Sequence, residues 1–283
     1  MSTAEERAAL VTLLRRGARP HQTYSDLLEE TGGAQELLSQ EQLFTDDDLA
    51  PARRALDAWA QEGIELVSVL DPRYPENLKA VYDRPPLLFV AGQLKPEDAR
   101  SIAVIGSRRA SDSGLAAAKA IAAHLVQRSF TVVSGLAAGI DTAAHSAALA
   151  QGARTVAVIG TGHRHSYPPQ NAALQTRIAS EHAVVSQFWP DAPPTRRSFP
   201  MRNAVMSGMT LATVIVEASE ASGSRVQSRL ALAQGRPVFV LEPLLEQEWA
   251  RELVTRPGTY TVSAPEQISA TVERLTAADA LVA

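Results

Sequence analysis

Several segments of the chain combine glycine with a hydroxyl or a cation in a way that suits a phosphate. They are Gly106-Ser107-Arg108-Arg109, Ser134-Gly135 through Gly139 to Asp141, Gly160-Thr161-Gly162-His163 and Gly223-Ser224-Arg225. Glycine lets a backbone approach a ligand closely, and amides at a following helix start can hold an anion. Any one of these turns is equally compatible with a tight strand-to-helix connection; it is their number that points to a phosphate-bearing ligand. A further segment, Phe199-Pro200-Met201-Arg202-Asn203, sets an aromatic, a stiff turn, a cation and an amide just before an expected helix. Arg196 and Arg197 lie upstream, and Trp189 is a second aromatic nearby. An arginine beside an aromatic is what a base-stacking, phosphate-tracking site requires.

Catalytic chemistry has weaker support. Asp141 and His145 are four apart on one expected helix and share a face, but no motif places a hydroxyl nucleophile with them. A helix cap for Asp141 and a packing role for His145 are the expected readings. His163 and His165 flank Arg164 without a metal-ligand spacing and are expected to be exposed. The chain has no cysteine, which removes thiolate nucleophiles, thiolate metal sites and disulfides, and fits a reducing cytoplasm. Gly-x-Gly-x-x-Gly does not follow the first strand of the core, nor is there a P-loop, so neither a nicotinamide, a flavin nor a P-loop nucleotide is expected. No cofactor and no metal are expected. Apolar runs stay short of a membrane span, and the N-terminus, with Glu5 and Glu6, lacks a signal-peptide pattern.

The net charge of −4 conceals an asymmetry. Lys/Arg against Asp/Glu balance at −8 over residues 1–99, +8 over 100–240 and −4 over 241–283. Thirteen of the fourteen cations in the middle segment are arginine, whose planar fork suits phosphates and stacks on bases.

The elements that must carry these residues follow from periodicity. Residues 1–62 show helical spacing, with Gly32-Gly33 and Asp46-Asp47-Asp48 as breaks and Pro51 in the first turn of the next helix. This segment is expected to form a small acidic helical domain. Residues 64–70 have strand character, Asp71-Pro72-Arg73-Tyr74-Pro75 forms a rigid turn, and Leu87–Val90 is a short buried strand. From Ile102 onward, apolar runs of strand length alternate with helical segments. The strands are expected at 102–106, 130–134, 155–160, 183–187, 212–217 and 237–241, and the helices at 113–128, 141–151, 171–181, near 203–209 and at 224–234. That alternation predicts an α/β fold: a doubly wound, mostly parallel Rossmann-like sheet over 63–243. Residues 244–283 are expected to be a tail with one helix near 267–275. Ligands of such sheets bind beyond the carboxyl ends of the strands, which is where the special residues gather.

The ordered set Asp71–Leu78, Pro85–Phe89, Val104–Arg108, Ser134–Asp141 with Ala144-His145, Tyr167–Asn171, Phe199–Asn203 and Glu217 through Ser222–Ser224 to Gly235-Arg236 resembles the DNA-processing protein A family, DprA, also called Smf. The resemblance implies a homodimeric, non-enzymatic, cytoplasmic protein that binds single-stranded DNA. It implies protection of incoming strands and loading of a RecA-type recombinase in natural transformation and recombination. By position, Gly106, Ser107, Arg108, Arg202 and Asn203 would line the DNA pocket. Ser134, Gly135, Gly139 and Asp141 would shape its floor, and Gly223 and Ser224 would offer backbone donors. Phe199, Arg109 and Arg225 complete the candidate set. The family carries arginine where this chain has Ala138 and Ala204, and leucine where it has Arg225. No winged-helix domain is expected in the tail. Two other readings stay open. One is a nucleotide-sensing module, which would bind with a shallow salt dependence. The other is a LOG-type nucleoside monophosphate phosphoribohydrolase, for which residues 221–241 offer no Asp or Glu.

Overall fold

A computed structural model describes residues 3–17, 19–41, 46–220 and 222–279. Four helices come first: α1 (Ala4–Arg16), α2 (His21–Thr31), α3 (Ala34–Glu41) and α4 (Asp46–Gln61). Strand β1 (Ile64–Ser68), the short helix α5 (Glu76–Lys79) and β2 (Leu87–Gly92) lead into the core. The core runs β3 (Ser101–Ile105), α6 (Asp112–Gln127), β4 (Thr131–Ser134), α7 (Ile140–Ala150), β5 (Thr155–Val158), α8 (Ala172–Glu181) and β6 (Ala183–Ser186). It returns through α9 (Ser198–Met209), β7 (Ala212–Ile215), α10 (Gly223–Ala233) and β8 (Val238–Leu241). Helix α11 (Glu248–Leu253), strand β9 (Thr259–Val262) and α12 (Pro265–Asp279) follow.

One nine-stranded sheet joins these strands in the order β1-β2-β6-β5-β4-β3-β7-β8-β9. All neighbours from β6 to β9 run parallel, while β2 is antiparallel to both β1 and β6. The α/β doubly wound class is therefore as the alternation of strands and helices requires. Successive strand residues point to opposite faces. Ile102, Val104 and Val132 pack against Ile121, Leu125, Ala144 and Ile268 on one face. Ala103, Ile105 and Val133 share the other face with Val205, Met206 and Met209 of α9. The chain builds outward from β3 through β4, β5 and β6, then crosses back to place β7 on the other side of β3. That reversal makes a crevice beyond the carboxyl ends of β3 and β7.

The N-terminal helices share the second of these clusters rather than forming a separate core. Trp59 of α4 meets Phe89 of β2 edge-on at 5.0 Å and Trp189 at 6.0 Å. Arg7 of α1 pairs with Asp71 at 2.9 Å. Burial alone would raise the Asp71 carboxyl, but hydrogen bonds from Arg73 and Arg7 hold it below its usual range. The Tyr74 hydroxyl donates to the Pro85 carbonyl at 2.7 Å, so the expected rigid turn ties α1, β1 and β2 together.

Three local expectations need correction. Asp46–Asp48 lie within α4 instead of breaking a helix, and Pro51 lies inside the helix rather than in its first turn. The helix expected near 203 begins at Ser198. Thr195 and Ser198 exchange backbone-to-hydroxyl hydrogen bonds at 3.1 and 3.0 Å, and Pro200 falls in the first turn, where its missing N–H costs little. The segment from 244, expected as a tail with one helix, also supplies β9, which pairs with β8, and Tyr260 stacks on Phe239 at 5.4 Å. Among the described residues no helix is long and apolar enough to cross a membrane.

Candidate functional site

The crevice at the reversal point is a pocket of about 650 Å³. Its walls bring together Gly106, Ser107, Arg108, Arg109, Asp141, Phe199, Arg202, Asn203, Gly223 and Ser224, residues that lie more than a hundred positions apart in sequence. The backbone of 106–109 is stitched between neighbouring elements. The Ser107 amide donates to the Glu217 carbonyl at 2.6 Å, and the Ile140 amide donates to the Ser107 carbonyl at 3.2 Å. Gly139 makes this possible: its φ is +80°, and a side chain there would collide with the Ser107 carbonyl. The Glu217 carboxylate accepts the amide and hydroxyl of Ser111, the cap of α6.

Arg202 forms the floor. Its side chain comes off the second turn of α9 and is buried. Nη1 donates to the carbonyls of Gly135 and Val158, the latter at 2.7 Å, and Nε donates to Asn203 Oδ1 at 3.0 Å. A side chain at Gly135 would occupy the guanidinium's place. Burial pushes the Arg202 pKa down to about 10, opposed by Asp141 and aided by Arg108. The group therefore stays charged at neutral pH. Asp141 Oδ2 accepts the amides of Gly135 and Ala137 at 3.0 and 3.3 Å, so it braces the loop before α7; the cap position itself is Gly139. Burial raises the Asp141 carboxyl against the pull of Arg202 and these amides.

Arg108 and Arg109 stand exposed at the rim. The Arg108 guanidinium lies 5.1 Å from the Phe199 ring, and Phe199 meets Tyr167 at 5.4 Å. Tyr167 is 41% exposed and its ring is tilted 47° to Phe199, so the three form an aromatic–cation cluster with an open end. Tyr167 was not among the candidate site residues, although the Tyr167–Asn171 segment is part of the family resemblance. On the far wall α10 begins at Gly223, with Ser222 Oγ accepting the Ser224 amide at 3.2 Å, and the positive end of this helix faces the pocket. Gln227, one turn further, is fully buried and lines the pocket, and neither amide atom has a partner among the described residues. No sequence pattern marked it.

Several expected members lie elsewhere. Ser134 is buried behind the floor, its hydroxyl donating to the Val104 carbonyl at 2.6 Å. Gly135 borders a smaller side cavity with Ala138, Gly160 and Tyr167. Arg225 lines a neighbouring groove. Trp189 belongs to the Trp59–Phe89 cluster under Arg15, away from the pocket. His163 and His165 are fixed to the carbonyls of Phe89 and Asp191 at 3.0 and 2.9 Å, so they hold a loop rather than stand free. Of the two alanines at expected arginine positions, only Ala138 borders a cavity of the site; the Ala204 carbonyl instead accepts from Gln234 at 3.0 Å.

Ten of the fourteen cations of the basic middle segment fall into two groups. Arg100 and Arg128 share Glu273, Arg154 holds Asp98, Arg164 holds Glu62 and Arg177 holds Glu181. Arg108, Arg109, Arg202, Arg225 and Arg229 have no carboxylate in ion-pair contact among the described residues, and they line the pocket or the groove beside it.

His145 is fully buried, with Nδ1 donating to Thr155 Oγ1 at 2.7 Å, and burial lowers its pKa to about 3. The unfolded chain takes up this proton near pH 6.5 and the folded chain near 3, so its contribution is intact above 6.5 and is lost as pH falls through that window. Urea midpoints are expected to fall below pH 6.5, with about 2 kcal/mol lost to this group by pH 5. His145→Gln should flatten that part of the profile; an unchanged slope in the variant would remove His145 as the cause.

The family model described as DNA recombination-mediator protein A matches residues 65–272. DNA processing protein DprA of Streptococcus pneumoniae is 41% identical over 174 residues, 62% of this chain and 61% of that protein. DprA of Bacillus subtilis is 33% identical over 198 residues, 70% of this chain and 67% of that protein. Protein Smf of Escherichia coli is 37% identical over 198 residues, 69% of this chain and 53% of that protein. The matches thus span about half to two thirds of these curated relatives. The X-ray structure of DprA from Streptococcus pneumoniae superposes with a TM-score of 0.75 at 29% identity, over 93% of this chain and 97% of that one. A structure of DNA processing protein A from Helicobacter pylori, solved to describe its single-stranded DNA binding mode, gives 0.65 at 25% identity, over 75% and 96%.

Proposed function

The chain belongs to the DNA recombination-mediator protein A family, the DprA/Smf proteins, and from that premise we propose that it binds single-stranded DNA in the pocket at the β3–β7 reversal. The observation that carries this reading is Arg202: a buried guanidinium hydrogen-bonded to backbone carbonyls and supported by the nearby Asp141 carboxylate, at the floor of a pocket rimmed by Arg108 and Arg109. With the Asp141 carboxylate committed to two backbone amides and Arg108 adding a second cation nearby, the pocket above Arg202 favours an anion. A phosphate is such an anion, with the start of α10 as a second pole. The Arg108–Phe199–Tyr167 cluster supplies aromatic faces for a base, and Gln227 and Asn203 offer amides to it.

In this reading Gly106, Ser107, Arg108, Arg109, Phe199, Arg202, Asn203, Gly223 and Ser224 touch the strand, while Ser134, Gly135, Gly139 and Asp141 hold the floor. The one carboxylate lining the pocket among the described residues, Asp141, is engaged by two backbone amides, which argues for holding rather than hydrolysing the ligand. Acting as a homodimer, in the cytoplasm, to protect strands and load a RecA-type recombinase belongs to the same proposal.

The test is fluorescence anisotropy of labelled oligo-dT over a salt series, with duplex as competitor. Binding that falls steeply with salt, by about 0.7 in log–log slope per phosphate contacted, and that resists duplex is the expected result. A shallow slope with mononucleotides competing equally would replace the strand by a single nucleotide.

A further inference from the structure

Beside the main pocket, on the other flank of the α10 start, lies a groove of about 400 Å³ lined by Arg225, Arg229, Trp249 and Arg256. Resting on the reading above, we propose that this groove is a second backbone-tracking site, along which a strand seated in the pocket continues. Ser222 lines both spaces, so a chain leaving the pocket past the cap of α10 enters the groove directly. Arg225 and Arg229 are four apart on α10 and project side by side, about 5–6 Å between their Cβ atoms. Arg256, from the turn after α11, adds a third cation.

What sets these arginines apart is that three of them line one groove. None has a carboxylate in ion-pair contact among the described residues, although Glu220 and Glu252 also line the groove. Arg225 gives one N–H to the Glu220 carbonyl at 2.9 Å and lies 5.8 Å from the Trp249 ring. The ring is nearly buried and its Nε1 donates to Gln247 at 2.6 Å, so the indole is a fixed neighbour of the guanidinium. A guanidinium so placed presents its fork to phosphates and its face to bases. The two carboxylates repel any anion equally. Continuity with the pocket is what favours the strand over an acidic protein segment.

The test compares a strand of about four nucleotides with one of about sixteen, the span of sizes seen in single-strand sites, on the wild-type chain and on Arg225→Gln/Arg229→Gln/Arg256→Gln. Glutamine removes the charge but keeps a partly aliphatic, polar side chain at each position, and equal thermal midpoints of the two proteins confirm that the fold is kept. The triple variant is expected to bind the short strand as wild type does. It should lose about tenfold on the long strand near 0.1 M salt, with a slope shallower by about 2. Should the variant match wild type on the long strand, in affinity and slope, the groove is not a strand path and an acidic protein segment becomes the occupant to seek. Wild-type binding to neither strand would instead overturn the pocket reading, and this proposal with it.

Discussion

Arg202→Ala is expected to cost about 3–5 kcal/mol of stability as well as strand binding, the scale seen when a buried charged group is cut from its partners. The side chain is both the proposed ligand contact and a keystone of the loop. Its loss leaves the Gly135 and Val158 carbonyls without their donor, each a buried acceptor worth about 1–3 kcal/mol unsatisfied. It also leaves the buried Asp141 carboxylate without the cation that offsets its desolvation. The loop from Gly135 to Gly139 then loses its support on both sides. Urea unfolding should show a lower midpoint with an unchanged m-value, and anisotropy should show loss of oligo-dT binding under conditions where the variant is folded. Arg202→Lys keeps a charge but cannot reach two carbonyls and Asn203 together, so it should recover only part of either effect. A wild-type urea midpoint in Arg202→Ala would mean that the guanidinium is a surface contact and that the floor stands without it.

Much of this arrangement is legible in the sequence because it obeys local rules. Continuous apolar runs such as Val132-Val133 and Val156–Val158 announce strands covered on both faces, and glycine at 106, 135 and 139 marks where loops must abut. What local rules could not give is the partnership between distant residues. Arg202 reads as a cation on a turn, but helix α9 begins at Ser198 and turns the side chain under β4 and β5. Arg154 and Arg164 read as part of a basic segment, yet each is consumed by a carboxylate from the acidic N-terminal third. Trp189 lies near Arg196 in sequence, but the bend after β6 delivers it to Trp59. Strand β9 hides in four residues after Pro257-Gly258, too short for its period to show. In each case tertiary contact, not propensity, decides the role.

Arg108 gives the opposite signature to Arg202, and the pair together tests the division of the site into floor and rim. Its side chain is exposed, has no carboxylate in ion-pair contact among the described residues, and lies over Phe199. Arg108→Ala is therefore expected to leave the urea midpoint within about 0.5 kcal/mol of wild type. It should weaken oligo-dT binding by about 1–3 kcal/mol, the scale of a charge-assisted hydrogen bond lost, roughly tenfold to a hundredfold. The salt slope should fall by about 0.7 if one phosphate contact goes with it. Arg108→Lys restores charge but not the fork or the stacked face, so the slope should return while part of the affinity does not. Because Arg108 also depresses the Arg202 pKa, removing it eases the charge on the floor, so any residual binding in Arg108→Ala reports what Arg202 and the α10 start hold alone. Equal losses of stability and binding in both variants would show that rim and floor are one structural unit and that neither arginine reads the strand independently.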